Sequence, residues 1–170
     1  PRVSLAHVLE SVRMMRAKLP AETALIGFAG APFTLACYWI EGGKPDPFAN
    51  IKGMMYSYPK AYSLLLDKLS DMVIDHLTAI YEAGADAVQV FDTWAGIMPE
   101  HEFKEFNLPI LTKIFSRLNE KGIAATYYAK NSHHLLESLP KTGASVISLD
   151  WRTPLSQARS EFGSKIAIQG

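Results

Sequence analysis

Apolar positions recur at helical spacing along two long stretches of the chain. Leu5, Val8, Leu9, Val12 and Met15 share one face of a predicted helix from Leu5 to Leu19, which Pro20 stops. From Pro59 to Ala83, the residues Tyr62, Leu65, Leu66, Leu69, Met72, Val73, Leu77 and Ile80 form one apolar stripe, the pattern of an amphipathic helix. Between the two, the run Ala24-Leu25-Ile26-Gly27-Phe28 reads as a buried strand. Pro32 then opens a helix that continues from Thr34 to Ile40 until Gly42-Gly43 stops it. The glycine- and proline-interrupted stretch from Glu41 to Tyr58 predicts an excursion with one short helix around Phe48 to Met55.

Beyond Ala83 a rhythm sets in. Gly84 leads to Ala87-Val88-Gln89-Val90-Phe91, Gly122 to Ile123 through Tyr128, Gly143 to Val146-Ile147-Ser148-Leu149, and Gly163 to Ile166-Ala167-Ile168. Short loops between helices and runs that are apolar on both faces mean parallel strands covered by crossover helices, since parallel pairing requires crossovers and these bury the sheet. Counting Ala24 to Phe28, the chain holds five such strands. Their carboxyl ends are marked by polar residues: Asp92 and Thr93, Lys130, Asp150 and Gln169. In α/β barrels and in open α/β sheets that is the edge where ligands bind.

Composition narrows the classes. With 17 basic and 17 acidic residues the net charge is zero, and no block of like charge exists to meet a phosphate backbone, so nucleic acid is not an expected partner. Cys37 is the only cysteine, which excludes an internal disulfide and points to a reducing compartment, the cytoplasm. No run approaches the roughly 20 apolar residues that span a bilayer. The chain opens on Pro1-Arg2-Val3 without an initiator methionine, and its 170 residues fall short of the roughly 250 of a complete eight-stranded barrel, so an interior piece of a longer protein is expected.

Spacing alone yields little chemistry. Gly27-Phe28-Ala29-Gly30-Ala31-Pro32 reads as a small-residue turn between strand and helix where backbone can approach a ligand, but it lacks the G-x-G-x-x-G dinucleotide spacing. His133-His134 is not read as a metal pair, because neighbours on a helix point about 100° apart and no ligand partner stands at a usual spacing. His7, His76 and His101 fall in predicted helices and are read as surface or packing residues. Asp92 and Asp150 are a weak candidate carboxylate pair, and no G-x-S-x-G elbow marks a serine nucleophile.

A long match supplies more. Leu25 through Leu35 and Tyr38-Trp39-Ile40-Glu41-Gly42-Gly43 closely resemble the signature of uroporphyrinogen decarboxylases. Ala83 through Gly96, Tyr128-Ala129-Lys130, Gly143 through Trp151 and Gln169-Gly170 follow in the same order. The resemblance implies a (β/α)₈ TIM barrel, of which residues 1–170 would be a single partial domain with about five strands, taken from the centre of the parent. It implies decarboxylation of the four acetate side chains of uroporphyrinogen III to give coproporphyrinogen III in porphyrin and haem biosynthesis, with no cofactor and no metal.

The resemblance makes Tyr38 an active-site tyrosine, catalytic and substrate-binding, and Thr93 a hydroxyl that contacts a substrate carboxylate. It places Phe28 and Phe91 at aromatic positions of the tetrapyrrole cleft, and leaves Asp92 and Lys130 with positioning roles. The family's central aspartate, catalytic arginines and late histidine have no counterpart in this sequence. The 170-residue piece is therefore expected to be inactive alone, and the parent is expected to be a homodimer. The nearest rival is a zinc-dependent corrinoid or thiol methyltransferase of the same fold, whose His-x-Cys pair is replaced here by Tyr127-Tyr128-Ala129-Lys130. A non-catalytic tetrapyrrole-binding module is the other alternative.

Overall fold

A computed structural model describes residues 2–42, 47–164 and 166–170. Helix α1 (Ala6–Lys18) carries Arg16 and Lys18 in its last turn, where cations suit the helix dipole, and gives way at Leu19 to extended backbone. Strand β1 (Ile26–Gly30) leads through Ala31 into α2 (Pro32–Glu41), which has Pro32 in its first turn and ends on Gly42 at φ 70°. Gly43, the second residue of the predicted stop, lies outside the described residues. Glu41 then reaches forward to begin α3 (Ala49–Ser57): its carboxylate accepts from the Ile51 amide at 2.8 Å and from Asn50 Nδ2 at 3.0 Å. Those bonds replace the side-chain cap that Phe48 does not supply.

The long α4 (Pro59–Glu82) is the predicted amphipathic helix, with Tyr62, Leu66, Leu69, Val73, Leu77 and Ile80 buried along one stripe. After it come β2 (Ala87–Asp92), α5 (Glu100–Glu102), a π turn over Phe103–Asn107, and α6 (Leu108–Glu120). Pro109 has no N–H to return to the preceding turn, so the wider π turn stands where a regular helix could not be completed. β3 (Ala125–Ala129), β4 (Val146–Leu149), α7 (Leu155–Phe162) and β5 (Ala167–Gln169) complete the chain.

The strands form one sheet in the order β1-β2-β3-β4-β5, every pair parallel. A doubly wound sheet would reverse its strand order at a switch point; strictly sequential order is that of a TIM barrel, and the fold is a partial α/β barrel of this type. Side chains alternate between two faces. Val88, Val90, Tyr127, Ala129, Ile147 and Leu149 are buried against the helices, whereas Phe28, Phe91, Thr126 and Tyr128 lie on the opposite, inner face and are more accessible.

One expectation is corrected. Gly27 and Phe28 belong to the strand, as the apolar run predicts, and not to the turn; the strand starts at Ile26 rather than Ala24 and continues through Gly30, paired with β2 from Ile26↔Ala87 to Gly30↔Phe91. Gly27 is small because α4 crosses it, and a Cβ there would stand 2.1 Å from Ile80 Cγ2. The turn shrinks to Ala31, whose amide already donates to the Phe91 carbonyl at 2.8 Å and so is not free for an anion.

Candidate active site

The inner face carries a row of rings. Phe91 and Tyr128 are register partners on β2 and β3, with centroids 5.6 Å apart, and Phe28 meets Phe91 edge-on at 5.7 Å. Opposite Phe91 on β1 stands Gly30, which presents no side chain. Phe28 is 64% exposed on β1, at the edge of this five-stranded sheet.

A second aromatic group lies where β2 ends. Trp94 contacts Tyr38 of α2 at 6.3 Å and Phe48 at 5.0 Å, and its indole Nε1 is buried without a hydrogen-bond partner among the described residues. Tyr38 is 42% exposed, so its phenol stays accessible. Thr93, half-buried, precedes Trp94 and follows Phe91 by two residues. The four predicted site residues therefore fall into two groups, Phe28 with Phe91 and Tyr38 beside the Thr93-Trp94 segment. The chain from Phe91 to Trp94 joins them.

Asp92 organises this edge from behind. Its side chain is fully buried on the helix side of β2, where it accepts from Thr34 Oγ1 at 2.8 Å, Tyr127 OH at 2.8 Å and Asn107 Nδ2 at 3.1 Å. Thr34 Oγ1 in turn accepts from the Trp94 amide at 3.3 Å. Burial raises the Asp92 carboxyl to about 6 although all three bonds favour its charged form. The same enclosure, with the charge of Asp92, pushes the Tyr127 phenol well above its ordinary range. One carboxylate thus ties β2 to α2, β3 and the π turn, and through Thr34 it sets the loop that carries Thr93. It faces away from the ring row.

The next loops lock similarly. Gly96 packs on the backbone after β3, where a Cβ would lie 2.4 Å from the Asn131 carbonyl oxygen, and His134 Nε2 pairs with the Met98 carbonyl at 2.8 Å. Asp150, after β4, accepts from the amides of Asn131 at 2.7 Å and Arg152 at 3.0 Å, and from Arg152 Nη1 at 3.1 Å. Burial works to raise its carboxyl, but these donors outweigh it and hold the group below its usual range. Asp92 and Asp150 are each committed to holding the scaffold, not paired across a cleft. Lys130 is half-buried at the end of β3.

No group of three or more His, Cys, Asp and Glu side chains suited to a metal ion occurs among the described residues. Among those residues, too, no helix is long and apolar enough to cross a membrane. His7 and His101 are exposed on their helices, and His76 is half-buried on α4, its imidazole pKa lowered chiefly by burial. Cys37 is enclosed in the core, and burial, then the charges of Asp92 and Glu41, push its thiol far up, away from thiolate chemistry.

Sequence reading passed over Tyr128 and Trp94. Tyr128 was legible in principle, because strand alternation puts it on the face of Phe91 once the register is known. Trp94 had no such signal, since its place depends on how α2 and the segment before α3 fold back over the loop.

The family model described as "Uroporphyrinogen decarboxylase (URO-D)" matches residues 1–170. Among curated relatives, the uroporphyrinogen decarboxylase of Actinobacillus pleuropneumoniae serotype 5b is 44% identical over 174 aligned positions, covering 100% of this chain and 49% of its own length. That of Geobacter sulfurreducens is 39% identical over 170 residues, covering 100% of this chain and 50% of its own. The chain spans about half the length of the curated relatives it matches. Among solved structures, a methyltransferase from Methanosarcina mazei superposes with a TM-score of 0.84 at 20% identity, over 99% of this chain and 48% of that one. At that identity the likeness is one of fold.

Proposed function

Because this chain belongs to the uroporphyrinogen decarboxylase family, we propose that it is the central part of an enzyme converting uroporphyrinogen III to coproporphyrinogen III. The observation that carries the reading is the accessible ring row Phe28–Phe91–Tyr128 on the inner sheet face, next to the hydroxyl-bearing segment at the carboxyl edge. A large, mostly flat macrocycle needs an apolar wall with few polar groups at its rim. In this proposal Phe28 and Phe91, joined by Tyr128, are that wall. The Tyr38 phenol and the Thr93 hydroxyl are the rim groups, donating hydrogen bonds to substrate carboxylates.

The chemistry needs little from the protein beyond placement. Protonation of a pyrrole carbon makes the ring a cationic electron sink. The bond from the acetate methylene to its carboxylate then breaks, carbon dioxide leaves, and the released pair flows into the ring as an exocyclic methylidene. A proton added to the methylidene carbon and one lost from the ring give the methyl group, so each acetate consumes one proton net and releases one carbon dioxide. Residues that orient the acetate out of the ring plane accelerate the bond-breaking step by positioning, and an anion near the ring nitrogens steadies the cation. The resemblance puts that anion, together with the substrate-binding arginines, in the other half of the whole protein.

Residues 1–170 are proposed to be one partial barrel domain, inactive alone, of a cytoplasmic, homodimeric and cofactor-free parent. The competing zinc methyltransferase reading asks for a thiolate ligand, and Cys37 is buried in the core with a raised pKa. Replacing Tyr38 by Phe in the full-length protein removes a hydrogen bond to a charged group, and kcat/KM for anaerobic uroporphyrinogen turnover is expected to fall about tenfold or more with folding unchanged. An unaltered kcat/KM would remove Tyr38 from the site.

A further inference from the structure

A substrate with eight carboxylates calls for cations at the rim, and this half of the barrel offers two within three residues of a strand end: Lys130 after β3 and Arg152 after β4. Arg152 is held from two sides. Its Nη1 donates to Asp150 Oδ2 at 3.1 Å, and its Cζ lies 4.4 Å from the centroid of the Trp151 ring, which is 83% exposed. Asp150 is itself 92% buried by side chain, at 8% exposure, and is pinned by the Asn131 and Arg152 amides. The loop that carries Arg152 follows β4, whose Ser148 is the register partner of Tyr128; the Tyr128 phenol, raised by burial and by the charge of Asp150, is drawn partly back by Arg152.

A guanidinium carries five N–H donors, and among the described residues only Nη1 of Arg152 has a polar partner. The Trp151 face and Asp150 restrict the planar fork, which lowers the side-chain ordering cost of binding. The remaining donors are of the geometry that grips a carboxylate in bidentate fashion. Lys130, a point charge on a flexible stem, has no such fixing partner among the described residues.

We propose that Arg152 is a substrate-binding residue that grips a peripheral carboxylate of the tetrapyrrole, presented by Asp150 and Trp151 at the carboxyl end of β4, the strand paired with that of Tyr128. The proposal rests on the decarboxylase reading above, and its test separates the two. In the full-length protein, Arg152→Gln and Arg152→Lys are compared with the unsubstituted form for KM and kcat with uroporphyrinogen, for Kd with uroporphyrin as an octacarboxylate probe, and for thermal midpoint. Arg152→Gln is expected to raise KM and Kd each about tenfold, the scale of a lost charged hydrogen bond. The kcat should stay within about twofold, the thermal midpoint should not move, and Arg152→Lys should recover part of the loss. Unchanged KM and Kd in both variants overturn the inference and leave the decarboxylase reading standing. A parallel fall in kcat and midpoint, not rescued by lysine, also overturns it, because that is the signature of a structural role. Uroporphyrin binding that weakens in Arg152→Gln, in a protein that yields no product, supports the inference and overturns the decarboxylase reading.

Discussion

Asp92 is the last residue of β2 and faces the helices, whereas Phe91 before it faces the inner side of the sheet, and this alternation decides what each can do. Turned to the helices, Asp92 collects three donors and becomes a structural tie, while Phe91 remains on the inner face. Its carboxyl, raised by burial to about 6, has a consequence for stability. The unfolded chain holds this group near its ordinary value of 3.8, so between that value and about 6 the folded state binds the extra proton. The stability it contributes is thus complete below about pH 4 and is lost as pH rises through about 6, a change of roughly 2–3 kcal/mol. Urea unfolding at pH 4.5 and 7.5 checks this: the stability difference between the native protein and Asp92→Asn should move against the native protein as pH rises. A difference that stays constant would mean that the carboxyl is not raised. Sequence reading could place Asp92 at a strand end and near a site, but its face, and therefore its positioning role, depends on register.

At the scale of elements, helix-on-strand fit explains both what was legible and what was not. Gly27→Ala should destabilise the protein by roughly 1–3 kcal/mol, because the new methyl meets the stiff, β-branched Ile80 of α4 at 2.1 Å. The double variant with Ile80→Ala should recover part of that loss in a thermodynamic cycle, and independent effects would contradict the packing account. Gly96→Ala should lower activity as well as stability, since its methyl meets backbone at Asn131, between the loops that carry Thr93 and Lys130. Steady-state kinetics on the purified variant would show it. The five strands and the long α4 were readable because β-branched runs after glycines and an unbroken apolar stripe are local signals. The start of α2 at Pro32 was readable for the same reason. The span of β1 was misread by two residues because the small-residue run up to Pro32 is turn-like locally, whereas the pairing that keeps Ala29 and Gly30 in the strand comes from Val90 and Phe91, far along the chain. Likewise Thr93 and Tyr38 stood out only through resemblance to a family; spacing identified the edge and not the hydroxyls.

Across the whole molecule the net charge is zero, although the proposed substrate is a polyanion. Several of its cations are engaged in surface pairs such as Arg2 with Asp75 and Glu82, or Lys113 with Asp67 and Asp71, which leaves the rim to a few placed groups. In the proposed function the aromatic wall supplies contact area and the rim supplies orientation, a division suited to a large apolar ring with charged arms. In the proposed function this architecture belongs to an enzyme that removes four carboxylates from one macrocycle. The most direct test incubates the full-length protein anaerobically with uroporphyrinogen III and resolves the oxidised porphyrins by carboxylate number while carbon dioxide is counted. Stepwise passage from the octacarboxylate to the tetracarboxylate, with four carbon dioxide molecules released per ring, is the predicted result. A folded protein that binds uroporphyrin and releases no carbon dioxide would contradict the account and make this barrel a tetrapyrrole-binding module.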